Sequence, residues 1–215
     1  MSSPQHPFAQ SPYQVRFEWG TDGLARLAPA DIVVVVDVLR FSSSVIQAVE
    51  RGETVVMDAA SRAVSINGVA VAEAASGLVL MGGLRNAAAV AGAVLAEQER
   101  RGERTSVAVV AAGELTSRER GARLRFAVED LFGAGAIIAA LADRGIDHSS
   151  PEAAAAAEAF RPLRGAMRHL LTASGSGREL ADRVDEVHAA AAVDASSVVP
   201  VLRGGAFEAF AAGTP

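Results

Sequence analysis

The chain has 215 residues, of which 50% are hydrophobic, and it carries a formal net charge of −5 at pH 7. A chain of this length can bury one sizeable core, so we expect one domain or one domain with a small appendage. The acidic balance argues against a nucleic-acid-binding protein, because phosphate contacts need a basic face.

The apolar runs are too short to span a membrane. The longest nearly continuous run, Ile32–Val36, is far below the roughly 20 residues that a transmembrane helix needs. Residues 1–12 have neither the charged region nor the apolar region of a secretory signal. The chain has no cysteine, which excludes disulfides and thiolate metal sites and agrees with a cytoplasmic location. We therefore expect a cytoplasmic protein without membrane or nucleic-acid partners.

All 20 basic residues are arginine, and lysine does not occur. This composition excludes Schiff-base chemistry, a Walker lysine and a lysine general base. Any anion that the chain binds must therefore be held by arginine side chains, backbone N–H groups and hydroxyl groups.

In the first half of the chain, strands and helices are predicted to alternate. Residues 1–12, rich in Pro, Ser and Gln, are predicted to form a flexible N-terminal arm, and residues 13–215 a single α/β domain. Ile32–Val36 is apolar on both faces, which is typical of a central parallel strand. The other predicted elements are strands at 14–19, 54–57 and 78–81, a helix over 43–51 that ends at Gly52, and a short helix after a turn at Asn67–Gly68.

The second half continues this alternation. Apolar residues at i, i+3, i+4 and i+7 spacing predict two long helices, each with one apolar face. Strands that alternate with helices predict a three-layer α/β/α fold around a mostly parallel sheet. The predicted elements are helices over 87–98 and 128–142, a buried strand at 106–112, a charged loop at 113–125, Ala-rich helices from 151, a loop at 174–177 and a final strand at 198–202.

The segment after the central strand carries the residues most suggestive of chemistry. Ligands of such sheets bind beyond the carboxyl ends of the strands. Asp37 follows the strand, Arg40 comes three residues later, and Ser42, Ser43 and Ser44 stand where the next helix begins. A helix start favours a phosphate or sulfonate, and Arg40 could clamp it bidentately. Asp37 could bind a metal or act as a nucleophile; alternatively, a serine caps the helix and Asp37 pairs with Arg40.

Two further segments reach the same edge of the predicted sheet. Asn67-Gly68 is first a turn signal, with anion binding as the alternative. Glu129 and Asp130 fall in the first turn of a helix, where the helix dipole alone favours acids. As the alternative, they supply oxygen ligands to Mg²⁺. We expect Asp37 to lie close to Glu129 and Asp130, because parallel strands bring their carboxyl ends together.

Five short segments stand out when they are taken together: Val-Val-Asp37-Val-Leu-Arg40, Asn67-Gly68, Leu84-Arg-Asn-Ala87, Ala111-Ala-Gly113 and Glu129-Asp-Leu-Phe-Gly-Ala-Gly135. In their order and approximate spacing they resemble the 2-phosphosulfolactate phosphatase family. The resemblance extends from about Gln14 to Glu208. It implies an α/β/α fold and Mg²⁺-dependent hydrolysis of 2-phosphosulfolactate to sulfolactate and phosphate.

The resemblance also implies which residues form the active site. Asp37 would be a metal ligand or nucleophile, and Arg40 with Ser42, Ser43 and Ser44 would cradle the anion. Glu129 and Asp130 would form the metal side, and Asn67 and Gly68 would lie at the substrate. Residues 13–215 would then be one phosphatase-like domain that takes a small anionic phosphate or sulfonate substrate and Mg²⁺.

The chain departs from the family between Met57 and Ser65, where only seven residues remain. Family members usually carry a much longer segment there, and Val69 replaces the usual threonine after Asn-Gly. We therefore expect a shallower pocket, over which Arg118, Arg120, Arg123 or Arg125 could fold. Two functions stay open: a Mg²⁺-dependent phosphatase of a small acidic ester, and a catalytically reduced member that binds a phosphate or sulfonate without turnover. Structural self-association, for example as a homodimer, is a third and rests on the Ala-rich C-terminal helices.

Overall fold

The computed structural model describes residues 6–59, 61, 65–117 and 122–211. In these ranges strands and helices alternate along most of the chain, as the sequence predicts. The strands are β1 Val15–Trp19, β2 Ile32–Val36, β3 Val55–Val56, β4 Leu78–Gly82, β5 Val107–Ala111, β6 Glu114–Leu115, β7 Leu124–Arg125, β8 Pro200–Arg203 and β9 Ala206–Ala209.

The helices cover both faces of the main sheet. Short 3₁₀ turns at Pro7–Ala9, Leu84–Asn86, Arg161–Ala166 and Ala181–Arg183 connect some of the elements. The α-helices are α1 Gly20–Arg26, α2 Phe41–Glu50, α3 Ile66–Ala74, α4 Ala87–Arg101, α5 Val128–Ala142, α6 Pro151–Phe160, α7 Met167–Ala173, α8 Gly175–Glu179 and α9 Val184–Ala190.

The main sheet has the order β1-β5-β2-β4-β8-β9-β3. The four strands β1, β5, β2 and β4 run parallel, and β8, β9 and β3 add antiparallel pairs at one side. The prediction of a three-layer α/β fold with a mostly parallel sheet is therefore confirmed.

Strand β2 lies in the middle of the parallel part and is buried on both faces. Val34 and Val36 pack into the core formed with α4, α5 and α6. Val33 and Val35 pack into a second core formed with α2 and α3. Because side chains alternate along a strand, a run of five β-branched residues fills both cores at once.

The chain leaves neighbouring strands β2 and β5 toward opposite faces of the sheet. After β2 it enters α2, whose Phe41 and Val45 lie in the second core. After β5 it reaches α5, whose Phe132 and Ile137 lie in the first. Such a divergence between adjacent parallel strands opens a crevice at their carboxyl ends, where ligands of open α/β sheets bind.

Several local predictions need correction. Helix α2 begins at Phe41, two residues before the predicted start. Asn67-Gly68 is not a turn but part of the first turn of α3, because Ser65 caps that helix by accepting a hydrogen bond from the Gly68 N–H. Ser174 likewise caps α8 where a loop was expected. The strand predicted to be the last one corresponds to β8, and a further strand, β9, pairs with it in a hairpin that the sequence patterns did not predict.

The predicted charged loop at 113–125 contains a small antiparallel pair. Glu114 pairs with Arg125 and Leu115 with Leu124, so the flanks of the loop are strands β6 and β7. Arg118 and Arg120 lie outside the described residues. The hairpin directs the chain from the end of β5 to the start of α5.

The predicted flexible arm over 1–12 is described from residue 6 onward. Gln10 is buried, and its side-chain amide exchanges two hydrogen bonds with the Phe17 backbone, at 2.9 and 3.0 Å. These bonds fix Gln10 to β1, and the flexible arm over 1–12 stays a prediction. Residues 1–5 lie outside the described residues.

Within the described ranges, every helix is too short or too polar to cross a membrane.

Candidate active site

A cavity of about 530 Å³ lies where β2 and β5 end. The loop after β2 contributes Asp37 and Arg40, and the loop after β5 contributes Glu114. The start of α3 and the helices of the C-terminal part close the other sides. The remaining lining residues are Leu39, Ser65, Ile66, Asn67, Gly113, Leu115, Thr116, Ser117, Ser176, Glu179, Leu180, Asp182 and Arg183.

The Asp37 carboxylate is held at the starts of two helices. Its Oδ1 accepts a hydrogen bond from the Phe41 N–H at 3.3 Å, in the first turn of α2. Its Oδ2 accepts a short hydrogen bond from the Ser65 hydroxyl, the N-cap of α3. Asp37 is only 5% exposed but lines the cavity. Its carboxylate therefore takes the position at the start of α2 where the sequence predicts an external anion.

Gly68 allows α3 to approach Asp37 closely. A Cβ built on Gly68 would lie 2.5 Å from Asp37 Oδ2 and 2.8 Å from Phe41 Cδ1. Real Cβ atoms do not approach other heavy atoms so closely, so a side chain here would displace Asp37. The Asn-Gly pair is thus needed for close packing of the helix start against the candidate site.

We predict that Gly68→Ala lowers the free energy of unfolding by about 1–3 kcal/mol, because it overpacks the contact with Asp37. Gly92→Ala is the matched control, since Gly92 is also helical and a Cβ there would meet nothing within 4 Å. That control should raise stability by about 0.5–1 kcal/mol through helix propensity. Urea unfolding of both variants measures the two changes. Equal stabilisation by the two substitutions would show that the close contact at Gly68 is not real.

The structure does not bring Ser42, Ser43 and Ser44 to the cavity. The Ser42 hydroxyl accepts from the Asp37 N–H at 2.8 Å and contacts Met81 Sδ. The Ser43 hydroxyl donates to the Val38 carbonyl at 2.9 Å. Ser44 is exposed outside the cavity lining. The first two serines fix the turn after β2, so an anion cradle from their hydroxyl groups is not what the geometry supports.

Glu129 and Asp130 are buried beside the Asp37 loop, each 2% exposed. Asp130 Oδ1 accepts from the Val38 N–H at 2.7 Å, and Oδ2 accepts from the Gly113 N–H at 2.9 Å. Neither acid is among the described residues that line the cavity. The expected proximity to Asp37 is thus present, but the hydrogen bonds of Asp130 face the backbone.

These buried carboxylates repel one another. Burial raises the pKa of Asp37, and the charge of Glu129 raises it further, while the hydrogen bond from Ser65 lowers it. Burial also raises the pKa of Asp130 well above its usual value, and the charges of Asp37 and Glu129 add to this. The pKa of Glu114 is raised by burial and then by the charge of Asp37. A cation bound near these groups would relieve the repulsion.

The acids that line the cavity overlap the predicted Mg²⁺ ligand set at Asp37. Among the described residues, no three His, Cys, Asp or Glu side chains are grouped to share a metal ion. Glu129 and Asp130 lie outside the described lining of the cavity, and Asp130 accepts hydrogen bonds from two backbone N–H groups. Asp37 and Glu114, however, both line the cavity. Mg²⁺ commonly takes one or two carboxylates and completes its shell with water and phosphate oxygens, which this pair can satisfy.

Two arginines line the cavity, and both are paired with acids. Arg40 Nη1 donates to Glu186 Oε2 at 2.8 Å, and Arg183 Nη1 lies 4.0 Å from Glu186 Oε1. Arg40 therefore pairs with an acid of α9 and not with Asp37, the partner in the alternative interpretation. Both ion pairs are partly exposed, so an incoming anion can compete with Glu186 for the two guanidinium groups.

Several residues of the cavity were not predicted as site residues, among them Glu114, Ser65 and Arg183. Glu114 lies three residues after the end of β5, and the rule about strand ends that points to Asp37 could have identified it. Ser65 carries the N-cap pattern of a helix start, which the Asn-Gly turn signal obscured. Arg183 is far from the other segments in sequence, and no local pattern marks it.

The loop arginines contribute little to the described cavity. Arg125 lies beside α8, because a Cβ built on Gly175 would be 3.2 Å from Arg125 Nη1. Arg123 is exposed, and its N–H donates to the Thr116 hydroxyl, which belongs to a lining residue. Covering of the pocket by these side chains stays a prediction.

Comparison with known protein families matches residues 63–205, well over half of the chain, to the family described as 2-phosphosulpholactate phosphatase. The match begins within the shortened segment before Ser65 and is narrower than the resemblance over about 14–208. Asp37 and Arg40 precede it, so their place in the site rests on the cavity geometry. No curated protein matches the chain. On the strength of the family match, the chain belongs to the 2-phosphosulpholactate phosphatase family.

Proposed function

We propose that the protein is a Mg²⁺-dependent phosphatase that hydrolyses a small acidic phosphate ester, similar to 2-phosphosulfolactate, to the alcohol and phosphate. The observation that carries the proposal is the cavity at the ends of β2 and β5. Its lining combines the carboxylates of Asp37 and Glu114 with the guanidinium groups of Arg40 and Arg183, and it also includes the acids Glu179 and Asp182. The family match over 63–205 supports the same reaction class.

In the proposed reaction, the arginines of the cavity bind the substrate and the acids bind the metal ion. Arg40 and Arg183 offer N–H donors for the oxygens of an anionic substrate. Asp37 and Glu114 would hold Mg²⁺, which when bound neutralises charge on the phosphoryl oxygens. With Asp37 as a metal ligand, water attacks phosphorus while the bond to the alcohol oxygen breaks. With Asp37 as the nucleophile, its carboxylate oxygen forms the first new P–O bond as the ester bond breaks, and water then hydrolyses the aspartyl phosphate. In both routes the alcohol oxygen takes up a proton and the released phosphate carries the oxygen of water.

A second candidate function is binding of a small phosphate or sulfonate without turnover. The short segment between Met57 and Ser65 favours it, because a loop that normally helps to form the site is reduced. A more open site leaves water near the reacting groups and weakens electrostatic stabilisation of the transition state. A cytoplasmic location and a homodimer stay predictions from the sequence.

Phosphate release from a panel of small acidic esters, including 2-phosphosulfolactate, separates the two functions. Each ester is incubated with the protein in Mg²⁺ and in excess EDTA, and binding of inorganic phosphate is measured by calorimetry. The proposal expects release that depends on Mg²⁺. Phosphate binding without release from any ester would instead favour the second function.

The raised pKa of Asp37 gives a prediction about pH. Because the charge of Glu129 raises the pKa of Asp37, Glu129→Gln should lower it and keep Asp37 ionised to lower pH. Mg²⁺ binding needs the ionised carboxylate, so the acidic limb of Mg²⁺ affinity should move to lower pH in the variant. Calorimetric titrations between pH 4 and 8 measure the limb, with Glu152→Gln as the exposed control. An unmoved limb in Glu129→Gln would contradict the coupling of these two acids.

A further inference from the structure

Asp130 joins the two loops that carry the cavity carboxylates. Its Oδ1 accepts from the N–H of Val38, the residue after Asp37. Its Oδ2 accepts from the N–H of Gly113, the residue before Glu114. One side chain in the first turn of α5 is therefore bonded to the ends of both β2 and β5.

The Gly113 peptide is held from a second direction. Asn67 Nδ2, at the start of α3, donates to the Gly113 carbonyl at 2.7 Å. The backbone next to Glu114 thus has its donor fixed by Asp130 and its acceptor fixed by Asn67. Ser65, two residues before Asn67, bonds to Asp37. These hydrogen bonds join the loop after β2, the segment after β5, the start of α3 and the start of α5. Asp130 makes its two bonds from outside the described lining of the cavity.

Close packing sets the position of Asp130. Gly133, in the same helix, faces the loop after β2, and a Cβ there would lie 2.6 Å from Val38 Cγ2 and 2.9 Å from Val36 Cγ1. A larger residue at 133 would push α5 away from the strand. The glycine therefore lets the Asp130 carboxylate reach the Val38 N–H at 2.7 Å.

We infer that Asp130 is a positioning residue that sets the separation of Asp37 and Glu114, and that it is not a metal ligand. The expected effect of Asp130 on turnover rests on the proposed function. Its expected effect on the positions of the two loops rests only on the two hydrogen bonds. Misplacing a metal ligand or substrate contact by about 1 Å can cost roughly 100-fold in rate, so a fixed separation has a large effect.

Asp130→Asn tests the inference. Asparagine has the same shape but offers one acceptor oxygen, so one of the two N–H groups must face an NH₂ group. We expect amide exchange at Val38 or Gly113 to become roughly tenfold faster or more. The Kd for Mg²⁺ should rise roughly 10- to 100-fold. At saturating Mg²⁺, kcat should fall while the KM of the ester changes less than about threefold.

Ser150→Ala is the matched control for stability. Ser150 is a buried N-cap whose hydroxyl accepts from the Ala153 N–H, and it lies outside the described lining of the cavity. It should lower stability without changing Mg²⁺ affinity or the local exchange at Val38 and Gly113. Unchanged exchange at both amides in Asp130→Asn, or unchanged Mg²⁺ affinity, would overturn the inference. So would a metal bound by Asp130 in a Mg²⁺-loaded crystal.

Gly133→Ala tests the same idea with the Asp130 carboxylate intact. It should weaken Mg²⁺ binding in the same direction, by roughly 3- to 10-fold, because it moves α5 away from Val38. If Asp130→Asn does not fold, Gly133→Ala still tests the inference. An unchanged Mg²⁺ affinity in Gly133→Ala would overturn the inference. If the wild type neither binds Mg²⁺ nor releases phosphate, the proposed function fails. The exchange rates at Val38 and Gly113 would then decide alone whether Asp130 ties the two strands.

Discussion

Asp37→Asn should reduce kcat for phosphate release by roughly 10³-fold or more. The substitution keeps the shape of the side chain but removes the charge that either holds Mg²⁺ or attacks phosphorus. The hydrogen bonds from Phe41 and Ser65 fix this carboxylate at the cavity wall, so no neighbouring oxygen can take its place without a rearrangement. Initial rates of phosphate release at saturating ester and Mg²⁺ measure the loss.

Asp31→Asn is the matched control for this variant. Asp31 precedes β2 at the other end of the strand, and its Oδ2 also accepts two hydrogen bonds, from Ser106. We expect its kcat to stay within about twofold of the wild type, since surface substitutions away from a site have small effects. A similar loss in both variants would mean that the fall in Asp37→Asn reflects damage to the fold.

The same variant distinguishes the two roles of Asp37. If Asp37 is a metal ligand, excess Mg²⁺ should partly restore turnover in Asp37→Asn, because the loss lies in affinity. If Asp37 is the nucleophile, turnover should stay low at every Mg²⁺ concentration. A titration of Mg²⁺ from micromolar to tens of millimolar separates these outcomes.

Arg40→Ala is expected to raise the KM of the ester roughly 10- to 100-fold. A hydrogen bond to a charged group contributes about 1.5–3 kcal/mol, which corresponds to this range. Because Arg40 is partly exposed and already paired with Glu186, the lower end of the range is the expected value for esters with a single anionic group. Steady-state kinetics of the wild type and the variant on the same ester measure it.

Glu186→Gln is the partner variant and should act in the opposite direction. Removing the acid frees the Arg40 guanidinium group from its ion pair, so an anionic substrate no longer competes with Glu186 for it, while Arg183 keeps its contact of 3.8 Å with Asp182. We expect a lower KM in Glu186→Gln, and we expect this decrease to disappear when Arg40→Ala is combined with it, because Arg40 is the group that Glu186 occupies. An increase in KM in Glu186→Gln would show that the acid helps to orient Arg40 toward substrate.

Much of the fold could be predicted because its signals are local. Five consecutive β-branched residues at 32–36 indicate a strand buried on both faces, and β2 has that position. The spacing of apolar residues likewise predicts α5 over 128–142. The β8–β9 hairpin was missed because the prediction ended the last strand at 202 and did not use Gly204-Gly205 as a turn signal. Both glycines have positive φ at the turn between β8 and β9.

The candidate site was only partly predictable, because its contacts join distant segments. The rule that ligands bind at strand ends correctly brings Asp37 and Arg40 to the cavity. The same rule cannot tell that Asp130 Oδ1 and Oδ2 are taken by the Val38 and Gly113 N–H groups, since these bonds depend on how α5 packs. Nor can it tell that Glu186, in α9, meets Arg40. Contact with the cavity, which depends on how distant segments pack, therefore separates Asp37 and Glu114 from Glu129 and Asp130.

The most direct test of the account is a crystal structure of the wild-type protein with Mg²⁺ and inorganic phosphate. We predict one phosphate in the cavity at the ends of β2 and β5, with a contact to Arg40, and Mg²⁺ held by Asp37 and Glu114. Asp130 should still accept from the Val38 and Gly113 N–H groups. A cavity without phosphate at saturating concentration, or Mg²⁺ held by Asp130 in place of the cavity pair, would contradict the account.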